Sequence, residues 1–154
     1  IYNLSRTAPF AIKTTEGMHY RRYIAQQMKQ DHTPSDVLFR TAGVSDGKGF
    51  GFVSHSGEIY PSGFLPISAG NVRKDSLVDV YRNSGLFRVL RDMDAREGKC
   101  GLCEYRKLCG GSRSRAYALT GDFLAHDPLV EGGLVEQSGL DAPQQHRFFP
   151  PCCT

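Results

Sequence analysis

Residues 99–117 read KCGLCEYRKLCGGSRSRAY, with cysteines at Cys100, Cys103 and Cys109 and two glycines directly after the last. The chain holds five cysteines in 154 residues, so three of the five fall within ten positions. A C-x2-C step lets two thiolates converge on one metal from a tight turn, and Gly101 inside it relieves the backbone. The third cysteine, six residues on, can close from the start of the next element, and Gly110-Gly111 lets the chain pass close to whatever is held. Unligated thiols have no reason to cluster in this way. Both a zinc ion and an iron–sulfur cluster suit three such ligands, and both ask for a fourth. The candidates for the fourth are His126 and Asp127, shortly after the cluster, and Cys152 or Cys153 near the end of the sequence. Thiolates suit iron–sulfur clusters best, which favours the last two chemically. The alternative for Cys152 and Cys153 is a loosely ordered tail with incidental thiols.

The totals bound what surrounds this segment. The length is enough for one domain with a real core, and 40% hydrophobic with 23% charged residues is ordinary globular composition. A formal net charge of +3 is too small to argue for nucleic acid or an anionic membrane. No apolar run is long enough to span a bilayer, and IYNLSRTAPF has no apolar signal segment. Clustered cysteines without an export signal suggest a reducing, cytoplasmic setting and metal ligation rather than a disulfide framework. The sequence does not start with Met and reads as a fragment or a processed product.

Outward from the cysteines, the pattern predicts an α+β fold, with a β-hairpin, flanking helices and cluster-binding loops. PFAIK, within residues 1–14, alternates like a short strand. MHYRRYIAQQMKQ, residues 18–30, reads as a helix opened by Thr15 or Glu16. Its inner face would be Met18, Tyr20, Tyr23, Ile24 and Met28, and its surface Arg21, Arg22 and Lys29. Residues 31–49 are polar and glycine-containing, a loop. FGFVS and EIYPS form a hairpin around His55-Ser56-Gly57, and His55 reads as a turn residue. A helix capped by Asp75 or Ser76 follows, with Leu77, Val80 and Tyr81 inward. Ser84-Gly85 breaks it, and a second helix turns Leu86, Phe87, Leu90 and Met93 inward. After Cys109 come a loop and a short helix ended by Gly121, and from residue 129 a flexible tail.

Several polar residues have two readings each. His19, Arg21 and Arg22 could contact an anionic substrate, since Arg forks match carboxylates, or form a solvated helix face. Arg113 and Arg115 could offset the negative charge of a thiolate-ligated cluster, or make surface salt bridges. Asp122 and Asp127 could pair for acid–base work, but Gly121-Asp122 is also a turn signal.

GEIYPSGFLP, GNVRKDSLVDVYRNSGLFRVLRD and GKCGLCEYRKLCGGSRSRAYALTGDFLAHDP, in this order, resemble the C-terminal region of radical SAM proteins that carry a SPASM or twitch domain. The nearest branch is that of the haem-synthesis and haem-modifying enzymes. The likeness runs from about Phe52 to Pro128, and residues 1–30 resemble, more weakly, the end of the preceding radical SAM barrel. The resemblance implies three segments: 1–30 as the end of that barrel, 31–128 as the auxiliary-cluster domain, and 129–154 as a tail. It implies an auxiliary [4Fe–4S] cluster on Cys100, Cys103 and Cys109, completed by Cys152 or Cys153. Its role would be to relay an electron or to position a tetrapyrrole or peptide substrate, with an electron-donor protein as partner. S-adenosylmethionine would belong to the parent enzyme only, because the SAM-cleaving C-x3-C-x2-C spacing is absent from this chain. The family often has a cysteine in the hairpin, where this chain has Ser62, and another after the Gly-Gly step, where it has Ser112 and Arg113. Both losses fit a twitch-like arrangement with one cluster. Leu129-Val130 stand where the family's last ligand usually falls, so that ligand is displaced or supplied by His126, Asp127 or a bound molecule. A zinc-stabilised binding module without redox activity is the alternative on the same cysteines.

Overall fold

A computed structural model describes residues 1–10, 12, 14, 17–30 and 44–131. The helix α1 spans Tyr2–Thr7, α2 Met18–Gln30, and the strands are β1 (Phe52–Val53), β2 (Glu58–Tyr60) and β3 (Gly70–Asn71). Then come α3 (Leu77–Asn83), α4 (Gly85–Arg91), α5 (Gly98–Leu102) and α6 (Arg113–Thr120), and a 3-10 turn over Pro128–Glu131. No helix among the described residues is long and apolar enough to cross a membrane.

The hairpin forms as the sequence predicts. β1 pairs antiparallel with β2, Phe52 opposite Tyr60 and Val53 opposite Ile59. The turn closes through Gly57 N–H to the Ser54 carbonyl at 2.9 Å, with Gly57 at φ +90°, a conformation that favours glycine. The sheet has a third strand that the sequence reading did not foresee. β3 pairs with β2 through Glu58–Asn71 and Ile59–Gly70. Two residues are too short a run for alternation to register.

Ser76, not Asp75, caps α3. Its Oγ accepts from Asp79 N–H at 3.4 Å, while Asp75 turns back to accept from Asn71 N–H at 2.8 Å. Ser84 both ends α3 and caps α4, accepting from Phe87 N–H. Arg91 locks the two helices by donating to the Tyr81 and Arg82 carbonyls at 2.7 and 2.9 Å, which satisfies orphan carbonyls at the end of α3. Ile59, Val80 and Phe87 make the apolar core with Ala69 and Tyr81 against them, and Leu65 and Leu90 are also fully buried. Of the expected inward residues, Leu77 is instead exposed, and Leu86 and Met93 are only half-buried.

Two expectations at the N-terminal end need correction. Residues 2–7 form a helix, and no strand appears among the described residues of 1–14. Ala11 and Lys13, part of the alternating run, lie outside the described residues, as do Thr15 and Glu16. The helix α2 forms over the expected range, but its buried face is Met18, Arg22, Ala25 and Met28. Tyr23 is exposed and Arg22 is inside. The spacing 18, 22, 25 is helical, but a charge in the stripe disguised it. The loop expected over 31–49 falls largely outside the described residues. Its last part is a tight turn in which Ser45 and Lys48 bridge and Asp46 is buried.

Candidate cofactor site

α5 begins at Gly98, which has φ +55°, and carries Cys100 on its first full turn. Gly101 earns its place by proximity: a Cβ there would collide with the Arg96 carbonyl. Cys103 ends α5 in extended conformation. The turns after it bring Cys109 round, its N–H bonded to the Tyr105 carbonyl at 2.8 Å. Gly110 and Gly111 follow at φ +67° and +62°. A Cβ at Gly111 would stand 3.1 Å from the Cys100 sulfur and 2.9 Å from Asp127 Cβ. The double glycine therefore keeps a side chain out of the space beside the thiol.

Cys100, Cys103 and Cys109 line one cleft, together with Gly110, Gly111 and Arg22. The cleft measures about 260 Å³, counting the space open to solvent. Cys100 and Cys103 are buried and Cys109 is half-buried. Burial pushes the Cys109 thiol up to about 11, against a weaker lowering by the Gly111 N–H.

Behind the thiols stands a buried polar network. Asp127 N–H donates to Cys100 Sγ at 3.3 Å, and Arg113 Nη2 lies 3.7 Å from the same sulfur. Arg113, 1% exposed, is held by the Phe123 and Ala125 carbonyls at 2.9 and 2.7 Å. Arg115 grips Asp127 with both fork nitrogens, at 2.7 and 2.6 Å, and Ser112 N–H donates to Asp127 Oδ2 at 2.8 Å. His19 Nε2, from α2, stands 3.4 Å from that oxygen, in ion-pair range but without hydrogen-bond geometry. Burial alone would raise the Asp127 pKa. His19, Arg115 and the Ser112 N–H outweigh it and hold the carboxyl well below the usual range. Ser114 ties this end to the preceding turn, its Oγ donating to Asp46 at 3.0 Å.

The other candidates separate. Asp127 has both oxygens engaged, so it braces the site rather than offering a ligand. Asp122 accepts from Leu124 N–H at 2.8 Å, a turn role. His126 packs against Gly98 and is not among the residues lining the cleft. Arg113 and Arg115 are structural partners of the site, one at the sulfur and one at Asp127. Arg21 and Arg22, neighbours in sequence, face two different clefts. Ser62, where the family often has a cysteine, is buried and accepts from Phe64 and Leu65 N–H at 3.2 Å, an ordinary turn. Cys152 and Cys153 lie outside the described residues. Asp46 and Arg96 escaped the sequence reading altogether, one in an apparent loop and the other in a helix tail.

Among the described residues no group of three or more His, Cys, Asp or Glu side chains is set to hold a single metal ion. A zinc site asks four donors to meet about 2.1–2.3 Å from one point. An iron–sulfur cluster takes each thiolate on a separate iron and so spreads them. The three thiols lining one cleft are a donor set that either group could draw on.

No family-level sequence profile matches the chain. Individual proteins do. It is 40% identical over 132 residues to an AdoMet-dependent heme synthase of Methanosarcina barkeri, covering 82% of this chain and 38% of that protein. A heme synthase of the same description from Nitratidesulfovibrio vulgaris is 39% identical over 133 residues, covering 83% and 36%. A PqqA peptide cyclase of Rhizobium meliloti is 38% identical over 92 residues, covering 58% and 24%. The chain thus spans little more than a third of the length of the curated haem synthases it matches. Its homologues are radical SAM enzymes of haem and peptide modification, and it is related to them by descent along most of its own length.

Proposed function

We propose that the chain is the auxiliary-cluster domain of a radical SAM oxidoreductase, of the SPASM or twitch kind, with Cys100, Cys103 and Cys109 ligating a [4Fe–4S] cluster. The observation that carries the reading is the single glycine-walled cleft shared by the three thiols. Such a cluster accepts and passes on single electrons, or holds a substrate at an open iron. The protein's part is electrostatic and geometric. Arg113 and the Asp127 N–H donate towards Cys100, which stabilises its thiolate form. Arg115 and Ser112 fix Asp127 so that its own N–H keeps that aim. Gly111 leaves room for the group. The kinship to a haem synthase and a peptide cyclase supports a tetrapyrrole or a peptide as the substrate class of the whole enzyme, with an electron-donor protein as partner. Cys152 or Cys153 supplies the fourth thiolate.

Iron, acid-labile sulfide and zinc are to be measured on anaerobically prepared protein. The expected result is about four iron and four sulfide per chain, and truncation after Phe149 lowers both. One zinc with no iron overturns the cluster. Unchanged iron after truncation overturns the assignment of Cys152 or Cys153.

A further inference from the structure

On the other side of the Cys109-Gly110-Gly111 step lies a second cleft, of about 310 Å³ counting its open mouth. Its walls carry four cationic side chains, Arg21, Lys48, Arg96 and Lys107, and no acidic one. Arg96 is the unusual member. It is 5% exposed, and Nη2 donates to the Leu90 carbonyl at 2.6 Å. Its Nε and Nη1 are buried with no hydrogen-bond partner among the described residues. Buried charged donors are almost always satisfied, and leaving them empty is costly. The nearby acids do not fill the role. Asp46 is engaged by Ser114, and Asp92 accepts from Asp94 N–H at 2.9 Å. Burial, helped by the positive charge of Arg113, lowers the Arg96 pKa to about 10, so the side chain remains a cation at neutral pH.

We infer that this cleft receives a carboxylate of the substrate, with Arg96 as its buried anchor and Lys48 and Lys107 at its mouth. A guanidinium with open donors is matched to a carboxylate, and the lysines add attraction at the rim. The cleft shares Cys109, Gly110 and Gly111 with the cysteine cleft. A molecule anchored here by its acid group therefore places its body against the thiol side. That the anion belongs to the substrate rests on the function proposed above. The carboxylate itself can come from a tetrapyrrole propionate or from an acidic peptide side chain, and the test separates these.

The experiment is equilibrium dialysis of cluster-loaded protein against two matched pairs. One pair is haem and haem dimethyl ester. The other is end-blocked Ala-Glu-Ala and Ala-Gln-Ala. The expected result is that the free acid of one pair binds roughly tenfold or more tighter than its neutral partner, as a charged hydrogen bond requires. Arg96→Gln abolishes that preference, and Arg96→Lys keeps part of it. Should Arg96→Gln fail to fold, the double variant Lys48→Gln, Lys107→Gln reduces the preference about threefold, the size expected of one half-buried and one exposed charge. Equal binding of acid and neutral forms in both pairs overturns the inference. So does an acid preference that survives in the Arg96→Gln and double variants. Acid-labile sulfide, which haem lacks, is read on the same protein before ligand is added: its absence after reconstitution, beside an intact acid preference, overturns the cluster and leaves the carboxylate site standing.

Discussion

The half of the molecule from β1 to α4 and the half from Arg96 to Pro128 are held together by different forces. In the first, the fully buried side chains are Ile59, Pro61, Leu65, Phe87 and Leu90, an apolar core with Ser62 as its one polar member. In the second they include Ser112, Arg113 and Asp127, a polar network. Apolar burial is strong and indifferent to direction. A buried ionic network contributes little net stability once desolvation is counted, and its value lies in fixing positions. The first half is therefore a scaffold. The second spends its interior on orienting donors towards Cys100, which is the pattern of a site built around a charged group.

The largest expected effect breaks the scaffold alone. Phe87 is fully buried against Ile59 and Val80, and its ring stacks at a tilt on Tyr81, centroids 5.2 Å apart. Phe87→Ala should cost about 3–5 kcal/mol, read as a fall in urea or thermal midpoint. If the division between the halves is real, the fraction that stays folded keeps its full iron content.

The next breaks the network. Asp127→Asn removes the charge that Arg115, Ser112 and His19 converge on, at a cost of about 2–3 kcal/mol, and it lowers iron content where Phe87→Ala does not. Acid sharpens the contrast. The Asp127 carboxyl is held below its ordinary range, with burial opposed and outweighed by His19, Arg115 and the Ser112 N–H. The unfolded chain therefore takes up this proton first as pH falls. The stabilisation is full above about pH 4, the unfolded value, and is lost progressively as pH falls towards the folded one. Wild-type urea midpoints should drop between about pH 4 and pH 2, and Asp127→Asn should flatten that drop. Equal slopes would show that Asp127 is not the group responsible.

The same contrast explains what could be read from the sequence. The hairpin, both helices after it and the cysteine cluster were legible, because turn residues, caps and helical spacing are local signals. Arg22 was not. It occupies a core position on α2, and a charged residue in an apolar stripe reads as surface until its partners are known. Asp127 was legible as important but not in kind. It looked like a ligand or a proton donor, and only the three groups around it, Arg115, the Ser112 N–H and His19, show a brace. Asp46 and Arg96 were invisible because their meaning is set by residues distant in the chain: Ser114 is 68 positions from Asp46. β3 was missed because two residues carry no period, and α1 because its turn has no buried face to pattern.

The smallest expected effect compares one device used in both halves. Ser76 caps α3 and Ser112 caps α6, each accepting from the N–H three residues on, at 3.4 and 3.1 Å. Ser76 lies at the surface, so water can replace its hydroxyl, and Ser76→Ala should cost only about 0.5 kcal/mol. Ser112 is fully buried, so Ser112→Ala leaves the Arg115 N–H without that acceptor, away from water, and should cost about 2 kcal/mol. It should also loosen Arg115, and with it Asp127, so iron content falls with stability at Ser112 and stays level at Ser76. Equal costs at the two serines would mean that the cysteine half is as open to solvent as the surface of the scaffold. The difference drawn between the two interiors would then fail at its most local test.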